Sequence, residues 1–208
     1  MPILYYIHDP MCSWCWGYRP TWGELKASLP RGIDVVNLLG GLASDNEQPM
    51  PTELQQTIQG HWRKIQAMLG TEFNFDFWTR CRPRRDTYKA SRAVVVAAAS
   101  GLEEEMIFAI QRAYYLKAMN PSEPDTLVQL AGKLGMDEDT FRSALVSEQA
   151  DQEFRRQVAL ARRLGVRSFP SLVLKIQNRV NRVSLDYQDH RVSLQDIRYL
   201  VTGDRQIC

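Results

Sequence analysis

Hydrophobic and polar positions change their period several times along the chain, and each change predicts a different element. Residues 3 to 8, Ile3-Leu4-Tyr5-Tyr6-Ile7-His8, form a short β-branched, aromatic and apolar run that stops at Asp9-Pro10, the composition of a buried strand. From Cys12 onward Trp16, Trp22, Leu25 and Leu29 fall near helical spacing, and Pro30-Arg31-Gly32 ends that helix. Ile33 to Leu39 predicts a second strand, closed by Gly40-Gly41. Between Thr52 and Leu164 the pattern is mostly helical. Segments from Thr52 to Leu69, Asp86 to Ser100, Glu103 to Met119 and Pro124 to Leu134 each repeat apolar residues at helical intervals, the last capped by Ser122. Asp137 or Asp139 starts a short helix with Phe141 and Leu145, and Ala150 to Leu164 is amphipathic with Gly165 as its stop. Strand character then returns in Ser171 to Ile176 and in the alternating Arg179 to Leu185, with a hairpin turn expected at Asn178. Ser193 is the expected cap of a C-terminal helix built on Leu194, Ile197, Leu200 and Val201.

The resulting order is β-α-β, a block of five or six helices, then β-β-α. It predicts an α/β fold in which residues 1–48 and 149–208 form one unit and residues 49–148 an inserted all-helical one. No internal repeat, low-complexity tract or long linker interrupts it. The chain has 208 residues, 44% hydrophobic and 24% charged, enough for a well-buried core. Its net charge of +2 is too balanced to imply a nucleic-acid partner without a concentrated basic face. No apolar run approaches the roughly 18 residues of a membrane span. The N-terminal residues show no basic leader and no small-residue cleavage site, so a cytoplasmic protein is expected.

Four cysteines do not make a disulfide framework for a chain of this size, so their use is expected to be chemical. Cys12 and Cys15 are spaced C-x-x-C where the first strand gives way to the first helix, in its first turn. A helix N-terminus offers free backbone N–H groups and about half a positive charge, which favour a thiolate. Cys12, outermost in that turn, is the expected nucleophile. Cys15 lies one turn inward, close enough to resolve a mixed disulfide and too buried to attack substrate readily. The same spacing also suits half of a zinc site. Two more ligands would be needed, and Cys81, Cys208, His8, His61 and His190 are scattered; no metal is expected.

This order of elements, with C-x-x-C at the first strand-to-helix junction and Ser168-Phe169-Pro170-Ser171 before the third strand, resembles the thioredoxin superfamily. More narrowly it is similar to the DsbA-like group, whose thioredoxin fold carries an inserted helical domain. Asp9-Pro10-Met11-Cys12-Ser13-Trp14-Cys15-Trp16-Gly17 and Gly40-Gly41-Leu42 resemble the cytoplasmic FrnE-type branch. The resemblance implies a thiol-disulfide oxidoreductase, of protein disulfide isomerase character, acting on protein or peptide disulfides and dithiols with thioredoxin or glutathione as electron partner. It implies no cofactor beyond the cysteine pair, glutathione serving at most as co-substrate. It further implies a cis peptide bond at Pro170, which would lie against the pair while the preceding backbone contacts substrate. The Ser13-Trp14 dipeptide is neither the Pro-His of the periplasmic oxidant nor the Gly-Pro of thioredoxin, which leaves the direction of electron flow open. Kappa-class glutathione transferases and chromene-carboxylate isomerases share the inserted fold but lack the pair that this chain keeps.

Around the thiols, Ser13, Trp14, Phe169 and Pro170 are the candidate substrate-binding residues, and Phe169 is expected to make the groove more apolar. Met11, Trp14 and Trp16 are either an apolar platform for a peptide or glutathione or, as helical spacing favours, a core Trp16 turned away from Cys12 with only Trp14 exposed. His8 and Asp9 are candidates for tuning the pair or relaying a proton to Cys15, or else a strand-end histidine and an Asp-Pro turn. Cys81, between Arg80 and Arg82, is expected to have a lowered pKa and thus to be a third redox cysteine or a glutathionylation site, unless the basic run is only a solvated loop. Cys208 is expected to be incidental. Two other functions fit the residues. One is a glutathione-dependent transferase or isomerase in which a thiol or Ser13 activates glutathione; the other is a non-catalytic chaperone or peptide-binding module.

Overall fold

The first strand, β1 (Ile3–His8), is an inner strand of a four-stranded sheet whose two faces are both covered by helices, which is why its residues are apolar on both faces. A computed structural model of the protein describes residues 1–203. After β1 come α1 (Ser13–Ser28), β2 (Asp34–Leu39), α2 (Thr52–Leu69), α3 (Phe77–Arg80), α4 (Tyr88–Ala98) and α5 (Glu103–Leu116). The chain continues through α6 (Pro124–Lys133), α7 (Glu138–Leu145), α8 (Glu148–Arg163), β3 (Ser171–Ile176), β4 (Arg179–Val183) and α9 (His190–Thr202). The strand order is β2-β1-β3-β4, with β1 parallel to β2 and antiparallel to β3, and β4 antiparallel to β3.

The period of two along the strands sorts side chains to two faces. Leu4, Tyr6, Leu172 and Leu174 pack on Tyr18, Trp22 and Leu25 of α1 and on Leu194 and Ile197 of α9. Tyr5, Ile7, Leu38 and Val173 pack on Ala161 and Leu164, closing the other face with α8. A third cluster fills the space among α2 to α8 and reaches the sheet through Met11 and Leu39. At its centre Trp62 is fully buried, ringed by Phe73, Trp78 and Tyr115 with centroids 5.0, 5.0 and 5.4 Å away. Burying a large side chain of this kind is worth about 1.5–3 kcal/mol. Helix α2 stops where Gly70 takes φ 68° and its N–H caps the Gln66 carbonyl, a left-handed turn that a side chain would resist.

Most elements lie within a few residues of their expected positions, and the differences have local causes. The helix α3 has only one turn, too short for a period to show in sequence. Helix α9 starts at His190, capped by the Asp189 carboxylate on the Arg191 N–H, so Ser193 is not its cap. Ser193 is buried inside the helix and donates to the Ser184 carbonyl. Ser122 likewise does not cap α6: its hydroxyl donates to the Asp86 carbonyl at 2.8 Å. In the β3–β4 hairpin the left-handed residue is Gln177, with φ 52°, one position before Asn178.

Candidate active site

Cys12 is the N-cap of α1, one residue ahead of the first turn in which sequence spacing put it. Its Sγ accepts a hydrogen bond from the Cys15 N–H at 3.4 Å and donates one to the Phe169 carbonyl at 3.6 Å. A thiolate can only accept, so loss of the proton would release that carbonyl for another donor. Cys12 keeps 6% of its surface and Cys15 none, which leaves Cys12 as the sulfur a substrate can reach. Both thiols are free. Burial, reinforced by the neighbouring Cys12 sulfur, pushes the Cys15 thiol well above its ordinary value. Ser13, the first residue of α1, is half-buried.

Phe169 and Pro170 reach Cys12 from the start of β3, and the peptide bond between them is cis. Pro170 is buried and Phe169 half-buried. The half-buried ring of Phe169 packs on the face that β1 and β2 share with α8 and lies over Gly40. A Cβ at Gly40 would stand 1.9 Å from Phe169 Cε1, so only glycine admits this approach. The carbonyl of Phe169, rather than its ring, faces the sulfur.

The aromatic platform also differs from its expected form. Met11 is 7% exposed and belongs to the helical core. Trp14 and Trp16 are both half-buried, so the split into one exposed and one core tryptophan does not hold. Trp14 tilts against Tyr187 at 5.1 Å, with Lys64 Nζ 5.8 Å from its ring centre. Trp16 stacks on Tyr115 at 5.6 Å and donates Nε1–H to the Glu72 carbonyl at 3.1 Å.

His8 and Asp9 adjoin the pair but do different things. The Asp9 carboxylate is fully buried and accepts from Met11 N at 2.8 Å, Leu42 N at 3.0 Å and the Thr87 hydroxyl at 2.8 Å. It therefore ties the loop before Cys12 to the exit of β2 and the start of α4. Burial raises its pKa, while those three hydrogen bonds pull the other way. His8 is 1% exposed and stacks on Tyr6 at 5.0 Å, and neither ring nitrogen has a hydrogen-bond partner. Burial pushes its pKa down to about 4, with Arg19 adding to the shift and Glu104 opposing it.

Cys81 stands apart from the pair. Its thiol donates to the Ala118 carbonyl at 3.0 Å, and burial raises its pKa, against the lowered value expected beside Arg80. The basic run does not govern this thiol: Arg84 is spent on Glu47 and Glu123, and burial outweighs Arg80. Cys208 lies outside the described residues. Among the described residues no three His, Cys, Asp or Glu side chains gather as metal ligands, and His190 Nδ1 instead meets Glu24 at 3.0 Å. No helix among them is long and apolar enough to cross a membrane. Residues that sequence reasoning did not single out are Gly40 beneath Phe169, Thr87 on Asp9, Tyr115 and Tyr187 beside the tryptophans, and Glu104 near His8. Only Gly40 left a trace, as half of a diglycine read as a strand end and as part of the Gly40-Gly41-Leu42 that carries the resemblance.

Residues 6–190 match the DSBA-like thioredoxin domain. The chain belongs to that family. Among solved structures it is similar to a candidate protein disulfide isomerase from Nitrosomonas europaea, with 28% identity, a TM-score of 0.81, and 98% of this chain and 99% of that one covered. It is also similar to the cytosolic disulfide reductase DsbM of Pseudomonas aeruginosa, with 27% identity, a TM-score of 0.74, and 97% and 98% covered. DsbM has also been solved with GSH. A curated relative, the ClpXP adapter protein SpxH of Halalkalibacterium halodurans, is 23% identical over 82% of this chain. The chain spans 57% of that protein's length and 56% of the SpxH of Bacillus subtilis. The fold is thus the DsbA-like thioredoxin fold, and the family with its neighbours supports a redox enzyme in general.

Proposed function

We propose that this protein is a thiol-disulfide oxidoreductase that exchanges disulfides with protein or peptide substrates through Cys12 and Cys15. The observation that carries the reading is the position of Cys12 Sγ, at a helix N-cap, 3.4 Å from the Cys15 N–H and 3.6 Å from the carbonyl preceding Pro170. The Cys12 thiolate attacks a substrate disulfide R–S–S–R′, forming Cys12–S–S–R and expelling R′–S⁻. Cys15 then attacks Cys12 Sγ, the Cys12–SR bond breaks, and R–S⁻ leaves; the pair is oxidised by two electrons and the substrate reduced. Run backwards, the same steps oxidise a dithiol. Phe169, Pro170, Ser13 and Trp14 border the substrate groove, one wall of which the helical insertion of residues 49–148 supplies. No cofactor takes part, since the pair holds both electrons.

The protein works in the cytoplasm, with glutathione or thioredoxin as the partner that resets the pair. The existence of a GSH complex of DsbM supports glutathione in that role. The test is insulin reduction with dithiothreitol. Cys12→Ser abolishes catalysis, and Cys15→Ala accumulates a mixed disulfide on Cys12; full activity in Cys12→Ser would refute the reading. The SpxH likeness favours a second reading, a binding module whose contacts do not need the cysteines. That reading gives client binding unchanged in Cys12→Ser and no insulin reduction by the parent protein. A glutathione transferase or isomerase would instead keep conjugation or isomerisation activity in Cys15→Ser.

A further inference from the structure

The balanced net charge of +2 hides an uneven distribution. Residues 154–185 hold eight of the chain's 26 Lys and Arg and none of its 24 Asp and Glu, so the remainder carries 18 cations against 24 carboxylates. Of the eight, Arg155 pairs with Asp151 and Arg156 with Glu153. The other six, Arg162, Arg163, Arg167, Lys175, Arg179 and Arg182, form no ion pair among the described residues. Just beyond the segment, the Asp186 carboxylate is spent on the Gln188 and Asp189 N–H groups, and Asp196 accepts from Ser184 N.

Four of these guanidinium groups belong to one face where α8 ends. Arg162 and Arg163 close its last turn, Arg167 lies in the loop that follows, and all three are exposed. Arg182 joins them from β4. It stands opposite Val173 in register, and Val173 packs on Ala161 and Leu164, so Arg182 is on the sheet face that α8 covers. Its Nη2 donates to the carbonyl of Gly165, which lies between Arg163 and Arg167 in the chain. The negative end of the α8 dipole, about half a charge, favours cations here but does not balance four of them. The same loop leads to Phe169, two residues beyond Arg167, whose carbonyl is 3.6 Å from Cys12 Sγ. Two residues of backbone span at most about 7 Å, so the cationic face begins beside the sulfur that a substrate reaches.

We propose that this face docks a carboxylate-rich segment of the protein or peptide whose cysteine exchanges with Cys12, and so selects acidic disulfide substrates. The proposal rests on the thiol-disulfide reading above. A substrate cysteine bonded to Cys12 lies against the Phe169 carbonyl. Extended chain advances about 3.3 Å per residue, so carboxylates about two to five positions from that cysteine come level with Arg167 and the end of α8. Guanidinium holds carboxylate through paired, charge-assisted hydrogen bonds, and a surface of one sign speeds the arrival of partners of the other. A nucleic acid suits the face less well. Its backbone would run on over the rest of the chain, where carboxylates outnumber cations. Nor does the segment offer a ring for a base to stack on, since its two aromatic residues are the fully buried Phe154 and Phe169, which is packed over Gly40.

The experiment uses peptides that differ only in carrying Glu, Gln or Lys on both sides of one central cysteine, each supplied as its symmetrical disulfide. Reduced protein is mixed with excess peptide disulfide and quenched in acid, and the loss of the Cys12 and Cys15 thiols is followed by intact mass. Each rate is divided by that of the same peptide with dithiothreitol, which removes differences in intrinsic reactivity. At low salt the Glu peptide is expected to react about tenfold or more faster than the Gln peptide, and the Lys peptide more slowly than both, the spread shrinking to about twofold at about 0.5 M salt. In the combined Arg162→Gln, Arg163→Gln, Arg167→Gln variant the Glu-to-Gln ratio should fall to within about twofold of one. Arg182 is left in place because it holds the Gly165 carbonyl. The ratio is internal to each protein, so a general loss of activity does not imitate the effect; Arg167→Gln alone, which should lower the ratio about threefold, stands in if the triple variant does not fold. Equal rates for the Glu and Gln peptides in wild type, or an unchanged ratio in the folded variant, overturn the docking face alone. Equal peptide rates together with a labelled DNA duplex bound at about 0.15 M salt by wild type and not by the variant overturn it in favour of a nucleic acid. A wild-type protein whose thiols react with none of the peptides overturns the thiol-disulfide reading and the docking face with it.

Discussion

Acidification from neutral pH is expected to destabilise the fold through His8, whose imidazole is 1% exposed and pushed down to about 4 by burial. In the unfolded chain the ring titrates near its ordinary 6.5. Between those limits the unfolded chain binds more protons than the folded one, so the stabilisation is complete above about pH 6.5 and is lost as pH falls toward 4. From 6.5 to about 4, at about 1.4 kcal/mol per pH unit, the loss is about 3 kcal/mol. Full burial means that no discount for solvent screening applies. Against a typical domain stability of about 5–15 kcal/mol this is a large share. Asp9 acts in the opposite sense: its raised value gives a contribution present at low pH and lost as pH rises through that value. Comparing wild type with His8→Phe isolates the histidine. Urea unfolding of both at a series of pH values from 7.5 to 4 should show wild type losing about 3 kcal/mol more than the variant. Parallel losses in the two proteins would refute the argument that His8 is folded as a buried neutral ring.

Gly40→Ala places a Cβ 1.9 Å from Phe169 Cε1, so we expect about 1–3 kcal/mol of destabilisation and a several-fold loss of insulin reduction as the Phe169 carbonyl shifts from Cys12; unchanged stability and turnover would show that the ring is free to move. Asp9→Ala strips the acceptor from two backbone N–H groups and one hydroxyl and should cost about 3 kcal/mol or more in urea unfolding, with Asp9→Asn less severe. Cys81, with its raised pKa and its thiol bonded to Ala118, should react with iodoacetamide more slowly at neutral pH than a free cysteine peptide, as peptide mapping would show; faster alkylation would restore the arginine argument.

The sequence made the order of elements legible because strand and helix periods differ and most segments keep one period throughout. Ser171–Ile176 and Thr52–Leu69 have the bounds their patterns predict. Phe77–Arg80 did not show, since one turn carries no period. Caps were harder to read: Ser122 and Ser193 are typical cap residues, yet both spend their hydroxyls on carbonyls distant along the chain. Cys12 and Cys15 stood out as candidates because C-x-x-C spacing is a local signal, and Phe169 and Pro170 because they match the motif that carries the resemblance; the structure brings the four together. The roles of His8 and Asp9 depend on which donors and cavities meet them, and Leu42, Thr87 and Glu104 come from other elements. For Cys81 the neighbours in sequence pointed the wrong way, because burial and Ala118 outweigh Arg80.

Titration of the protein in glutathione redox buffers, read by intact mass after alkylation, tests the central claim most directly. We expect a two-electron transition in which Cys12 and Cys15 lose alkylation together while Cys81 remains alkylated. A midpoint near about −270 mV would mark a reductase and one near about −120 mV an oxidant. Failure of Cys12 and Cys15 to form a disulfide with each other in any buffer, or zinc held by the purified protein at one ion per chain, would contradict the account.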